Sequence, residues 1–360
     1  MYALITKAPE NIEKNRWLDL STTNAQHHAF DCISSSHLKY VNSGYSMESY
    51  KAAFLDKTMP FESSKEFTIG TIGHLAVLEP EKFEKQVIVC DIDQRTNLFK
   101  EYLSDLCKPL EVPFEDLPLE KQQEILALRA LEELKAKENP VVEEIVEEPK
   151  SKRKKKVEEP KPELFKPKKT KDGGFINSKG EEVFIVNTEE MEMFRAFQKR
   201  FDKHPRLSVW RDMCVIEQTG VAQDPETGLW MSLRGDARCD RGFFLDPKTI
   251  ADALSTHEIE KYTSKYGLAL QAAHYLETAN LIEPEKYRQF FFVFMSKKAP
   301  YDIALAKLDD VWLDYGLKKR REILNKIADC QIKNRWPTSD YNFSSGDYGM
   351  TIKAPAWCSK

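Results

Sequence analysis

Nowhere in this chain of 360 residues do apolar side chains run on for the roughly 20 positions that a membrane-spanning helix needs, so no such helix is expected. Glu10, Glu13 and Lys14 interrupt the opening segment, which does not read as a secretory signal, and a cytoplasmic location is the expectation. The seven cysteines, at positions 32, 90, 107, 214, 239, 330 and 358, contain no C-x2-C pair and no cluster of four. That spacing argues against a zinc knuckle, a disulfide framework and an iron-sulfur centre, and leaves reduced thiols. Charge of one sign is missing as well: 54 Lys and Arg face 58 Asp and Glu, for a formal net charge of −4. Bulk electrostatics therefore neither mark nor exclude a nucleic-acid partner, because local patches steer ligands more than totals do. No internal repeat is apparent. What is present is a 41% hydrophobic chain, apolar enough for a real core and long enough for one large domain or two ordinary ones.

Periodicity and turn residues divide the chain. Serines at 34–36 are N-cap candidates ahead of a short helix, since a hydroxyl accepts from a first-turn N–H that lacks a helical partner. A second helix is expected near Ser46. Residues 68–78 combine Gly70 and Gly73 with small and apolar side chains and predict a closely packed helix, with His74 one turn after Gly70. Residues 86–90 are β-branched and predict a strand. From 108 to 172 the character changes. Ile125, Leu128, Leu131 and Leu134 mark an amphipathic helix over 117–138. Residues 140–172 then alternate acidic and basic runs with prolines at 149, 160, 162 and 167. Too few large apolar groups occur there to offset the entropy of ordering, so a disordered linker is expected. The reading is of a charged insertion (108–172) between an N-terminal part (1–107) and a catalytic core (173–360) of one domain. Within the core we expect a hairpin at 173–186, a helix at 188–203 capped by Thr188, and strands at 208–217 and 229–238 around a turn at 224–228. A strand at 242–250, a helix at 266–281, an apolar strand at 289–295 and a long amphipathic helix at 304–327 follow. Interleaved strands and helices imply an α/β or α+β domain with a mixed central sheet.

The chemistry concentrates between residues 234 and 275. Arg234, Asp236, Arg238 and Asp240 alternate with small or apolar residues, which gives one charged strand face; an exposed strand with paired surface charges would show the same pattern. The next strand is more telling. Asp246 and Lys248 share a face and follow the apolar Phe243, Phe244 and Leu245, and a buried acid or lysine needs a partner or a metal. Asp240, Asp246 and Lys248 together stand at an Asp-x5-Asp-x-Lys spacing. Two hard oxygen ligands beside a fixed cation suit Mg²⁺ on a phosphodiester, since Mg²⁺ takes a few carboxylates and keeps positions for water and phosphate. On the helix at 266–281, Gln271 and Tyr275 share a face at i and i+4. Taken alone these two are ordinary helix residues, and His74 alone fits a satisfied core histidine.

In order and spacing these segments resemble the PD-(D/E)xK nuclease superfamily and, within it, the RecE-like exodeoxyribonuclease VIII group of phages and prophages. The resemblance spans most of 30–107 and 184–357. It is carried by Ile33 through Lys39, Gly70 through Phe83, Glu217 ahead of Thr227, Arg238 to Asp240, and Asp246 to Thr249. Tyr266 through Tyr275, Arg335 to Pro337 and Pro355 to Trp357 complete it. It implies a restriction-endonuclease-like mixed sheet flanked by helices. It also implies that Asp240 and Asp246 ligate Mg²⁺ or Mn²⁺, with His74 as an additional ligand or a second-metal residue and the Pro247 carbonyl as a further ligand. Lys248 would hold the attacking water and stabilise developing charge, Glu217 would contribute through a water or as an outer acid, and Gln271 and Tyr275 would line the site and contact DNA backbone.

The activity so implied is degradation of one strand of double-stranded DNA from its 5′ end, leaving 3′ single strands for an annealing protein of the RecT type. A homo-oligomeric ring and a bacterial or phage-infected cell go with that resemblance. Two positions depart from the pattern. Cys239 stands where proline precedes the first metal acid. Pro247 stands between acid and lysine where an apolar residue is usual, and because proline lacks an N–H, strand pairing is expected to loosen there. That position leaves open a DNA-binding recombination scaffold with a degenerate site, beside an endonuclease or a single-strand nuclease of the same superfamily.

Overall fold

The computed structural model describes residues 12, 14–59, 64–108 and 165–349. The helix expected at 117–138, most of the linker expected at 140–172, and the segment from Pro355 to Trp357 lie outside the described residues. In chain order the elements begin with β1 (Arg16–Trp17), α1 (Asn24–Ala29), α2 (Ser35–Asn42), and α3 (Met47–Tyr50), which continues as one π turn, Lys51–Leu55. Then come α4 (Lys65–Leu78), α5 (Pro80–Gln86), β2 (Val87–Val89), α6 (Asn97–Cys107), β3 (Phe175–Ile176) and β4 (Glu182–Val186). The rest comprises α7 (Thr188–Lys203), α8 (Leu207–Asp212), β5 (Cys214–Gln223), β6 (Trp230–Cys239), β7 (Phe243–Ile250), α9 (Thr256–Lys265) and α10 (Leu268–Ile282). The last are β8 (Gln289–Ser296), β9 (Ile303–Lys307), α11 (Asp310–Lys333), and the small hairpin β10 (Tyr341–Asn342) and β11 (Asp347–Tyr348). Among the described residues no helix is long and apolar enough to cross a membrane.

Two compact units divide the chain, one formed by Met1–Glu84 with Glu189–Lys360 and the other by Lys85–Thr188. The boundaries expected at 107 and 173 thus fall inside the second unit, because β2 pairs in parallel with β4, and β3 pairs antiparallel on its other side. Val183, Phe175 and Cys107 form its small core. Asp91 accepts from both the N–H and the hydroxyl of Thr188, at 2.7 and 2.6 Å. Thr188 is therefore the first helical residue of α7 and receives a carboxylate cap instead of providing one.

The first unit is built on a six-stranded sheet of order β1-β5-β6-β7-β8-β9, antiparallel except for the parallel pair β7 and β8. The mixed sheet flanked by helices is the architecture the sequence predicts. β8 is buried from Phe290 to Ser296, as its unbroken apolar run requires. Phe290, Phe292 and Phe294 pack with Leu268, Ala272, Tyr275 and Leu276 of α10, while Phe291 and Phe243 meet Trp210. Each such ring withdrawn from water contributes roughly 1.5–3 kcal/mol.

Two expected elements change. Residues 207–212 form helix α8 where a strand was expected: Leu207 and Trp210 turn inward at a spacing of three while Val209 is exposed, a helical period. Residues 303–307 form strand β9 instead of opening the long helix, which starts only after Asp309 accepts from Trp312 N–H at 2.9 Å.

Candidate metal centre

The site grows from the point where β6 parts from β7. Their ladder pairs Cys239 with Phe243, Arg238 with Phe244 and Ala237 with Leu245, and ends there. The next position in that register sets Asp236 against Asp246. On its other side β6 pairs with β5 over its full length except at one position, Glu217 facing Asp236. Glu217 takes a φ of +56°, a left-handed conformation that costs a non-glycine residue about 1–3 kcal/mol and collects at functional sites. Arg234 secures it, donating from Nε to Glu217 at 2.5 Å and from Nη1 to Thr22 O and Thr219 Oγ1.

Helices on either side bring the remaining groups. α4 lies against β7 because residue 73 is glycine: an added Cβ would stand 3.1 Å from Thr249 Cγ2 and 3.3 Å from Met295 Cε. That approach carries His74 to the splayed strands, with Nδ1 3.2 Å from Asp236 Oδ2. From α10, Gln271 donates to Asp246 Oδ2, and Tyr275 donates to the Arg234 carbonyl at 2.9 Å. Lys248 donates to Asp246 Oδ1 and stands 4.0 Å from Asp236 Oδ2.

One ligand atom each from His74, Asp236 and Asp246 lie within 4.8 Å of one another. The Asp236 Oδ2 atom is buried and has no hydrogen-bond partner, so its 3.2 Å contact with His74 is not an aligned hydrogen bond. Burial, and then the neighbouring Asp246 charge, push the Asp236 carboxyl well above the usual carboxylate range. His74 is held down to about 4 by burial and by Lys248, against the opposing effects of Asp246 and a hydrogen bond to Pro247, so near neutral pH its imidazole is uncharged. Proline has no N–H, and that bond must go to its carbonyl. Burial pulls the Lys248 ammonium down, but Asp246 and Asp236 outweigh it and its pKa rises overall. The arrangement is two acids sharing too little positive charge, with a neutral imidazole and an oxygen lacking a donor: a donor set that fits a small, hard divalent cation.

Residues 174–343 match the family described as a PDDEXK-like domain of unknown function. The fold is also that of a crystal structure of a Eubacterium rectale protein provisionally described as an exonuclease, with a TM-score of 0.50 and 13% identity over 94% of this chain and 96% of that one. Over residues 174–343 the chain is thus similar to the PD-(D/E)xK superfamily. No curated protein matches it. At 13% identity the structural likeness is one of fold, and site assignments rest on the geometry of this chain itself.

That geometry reassigns the first acid. Asp240, expected as a metal ligand, lies beyond the end of β6 in the hairpin turn, 69% exposed in its side chain. It accepts from Arg238 at 2.5 Å and from Lys286 at 3.3 Å. Phe243 to Asp246 alone spans three strand steps, about 10 Å. Asp236 occupies the place given to Asp240, and hairpin counting could have found it: with Gly242 at φ +88° closing the turn and Cys239 opposite Phe243, three steps back from the turn meet three steps forward.

Pro247 also departs from expectation. The β7–β8 register runs unbroken from Phe243 to Ile250 through Pro247↔Val293. A strand residue sends its N–H and C=O to the same side, and the Pro247 carbonyl is engaged by His74. The missing donor therefore falls on the side where β6 has already left, and no ladder bond is lost. Gln271 and Tyr275 reach the site; both are buried, Gln271 bonding Asp246 and Lys39 and Tyr275 bonding the β6 backbone. Glu217 faces Asp236 across the interrupted ladder, its acid form favoured by burial in spite of Arg234. Lys39 was not singled out as a site residue: its ammonium hydrogen-bonds Gln271 Oε1, and burial, followed by Lys248, pulls its pKa down to about 8.

Proposed function

We propose that this protein is a metal-dependent nuclease that hydrolyses DNA phosphodiesters at the centre formed by His74, Asp236, Asp246 and Lys248. The observation that carries this reading is the buried Asp236 oxygen without a donor, facing a neutral imidazole and a second acid. His74, Asp236 and Asp246, with the Pro247 carbonyl beside them, would hold Mg²⁺ or Mn²⁺. When bound, such an ion polarises a phosphoryl oxygen and lowers the pKa of coordinated water. The residues supply the rest. Lys248 stays an ammonium and places its charge beside the scissile phosphate, where negative charge grows during attack. Asp246 fixes Lys248 in place, and Glu217 stands behind Asp236 as an outer acid.

For the substrate, we take the resemblance to the RecE-like group as the guide: double-stranded DNA ends, one strand removed from 5′ to 3′, and 3′ single strands passed to an annealing protein of the RecT type, with a homo-oligomeric ring enclosing the duplex. The scaffold reading rested on Pro247, and the intact ladder through that residue favours the nuclease. The test is digestion of end-labelled linear duplex, closed circular duplex and single strands, with and without Mg²⁺. Mg²⁺-dependent loss of the 5′ label from linear duplex, circles left whole, and no product from Lys248→Ala are the expected results. Cut circles would indicate an endonuclease, and full activity in Lys248→Ala would overturn the site.

A further inference from the structure

Lys39 reaches the metal centre from behind. Its stem lies along the start of α10 at Gly267, where an added Cβ would stand 3.5 Å from Lys39 Cγ and where φ is +60°, a conformation glycine adopts without strain. The ammonium at the end of that stem donates to Gln271 Oε1, while Gln271 Nε2 donates to Asp246 Oδ2. The two ends of the amide are told apart by chemistry, because an ammonium offers only donors and a carboxylate only acceptors. One orientation satisfies both neighbours. The reverse sets the carbonyl oxygen against Asp246 and the NH₂ against the ammonium, and Gln271, 5% exposed, has little access to water that could compensate. Enclosing an ammonium costs free energy, and the partner gained here is a neutral amide. That expense is explained if the amide must not turn.

We propose that Lys39 is a positioning residue of the metal centre: by locking the Gln271 amide it fixes the rotation of the Asp246 carboxylate, and so the direction in which Asp246 presents its oxygens. The inference rests on the reading of His74, Asp236 and Asp246 as metal ligands.

The experiment is a calorimetric titration of Mn²⁺ into the metal-free full chain without DNA, with circular dichroism to verify folding. Wild type binds Mn²⁺, and Lys39→Met weakens binding about 10-fold, the scale of groups that orient metal ligands from behind. Lys39→Arg, which keeps a donor, restores most of the affinity; should Lys39→Met fail to fold, Lys39→Gln, whose amide does not dictate the orientation of Gln271, shows the same loss. The double variant Lys39→Met with Gln271→Met binds no more weakly than Gln271→Met alone, as required if Lys39 acts through Gln271. Mn²⁺ affinity in Lys39→Met within about twofold of wild type, or losses that multiply in the double variant, would overturn the proposal. A rise in KM for DNA with Mn²⁺ affinity unmoved would overturn it as well, in favour of direct phosphate contact. Absence of Mn²⁺ binding in the wild type is a distinct result that removes the metal reading and this inference with it.

Discussion

The two ends of the β6–β7 hairpin carry aspartates of opposite character. At the turn, Asp240 is exposed and held by Arg238 and Lys286, and the Arg238 hydrogen bond keeps its carboxyl below the usual range. At the open end, Asp236 is mostly enclosed, faces a second acid, has an oxygen without a donor, and is pushed well above that range. Both belong to the same alternating run of charge in the sequence, from Arg234 to Asp240. What separates them is pairing: an acid with its cations in place is a structural surface group, whereas an enclosed acid short of positive charge is ready to receive a cation.

The sharpest way to break this comparison is by activity. Asp236→Asn should lower metal-dependent DNA hydrolysis at least about 100-fold, since loss of a metal-bound carboxylate removes several kcal/mol of stabilisation at 1.36 kcal/mol per decade. Asp240→Asn should leave the rate within about twofold, as a screened surface pair allows. Initial rates on one duplex substrate decide, and equal losses would erase the distinction between the two ends.

Stability tests the same contrast with a smaller effect. The pKa of Asp236 in the folded protein lies above its unfolded value, so its contribution to stability is fully present below the unfolded pKa and is lost as pH rises through the folded one. In EDTA at about pH 8, Asp236→Asn should therefore melt above wild type, with the gap closing towards about pH 4 as the wild-type acid takes up its proton. Saturating Mg²⁺ or Mn²⁺ should raise the wild-type Tm and leave that of the variant nearly unchanged. A variant melting below wild type in EDTA at the higher pH would contradict the electrostatics described for this end of the hairpin. Asp240 has the opposite sign: its stabilisation is present above the unfolded pKa and lost as pH falls through the depressed folded value. At 69% exposure Asp240→Asn should cost less than about 1 kcal/mol in urea unfolding, and less still in high salt.

Much of this molecule could be read along the chain, for identifiable reasons. β8 shows itself by an unbroken apolar run, α4 by its glycines and apolar residues, and the shared face of Asp246 and Lys248 by strand alternation. α8 was hidden because Leu207, Val209 and Trp210 resemble a strand until one knows that Val209 faces solvent. Lys39 was hidden because no local pattern distinguishes a lysine that turns inward from one that does not. The resemblance agrees with the PDDEXK-like match over 174–343, but it singled out Asp240, which the fold sets apart from Asp246, since a spacing of five residues looks like a motif even where a turn intervenes.

By itself, then, the sequence determined the strands and helices with strong periodicity, the pairing of acid and lysine on β7, and the class of chemistry those residues suit. Only the tertiary structure decided which aspartate meets Asp246, what Pro247 does to the sheet, and where Lys39 ends. The reason is geometric. Spacing in sequence measures distance along the chain, but a metal centre is assembled across it, where an antiparallel register brings Asp236 opposite Asp246 and leaves the nearer Asp240 at the far end of the hairpin.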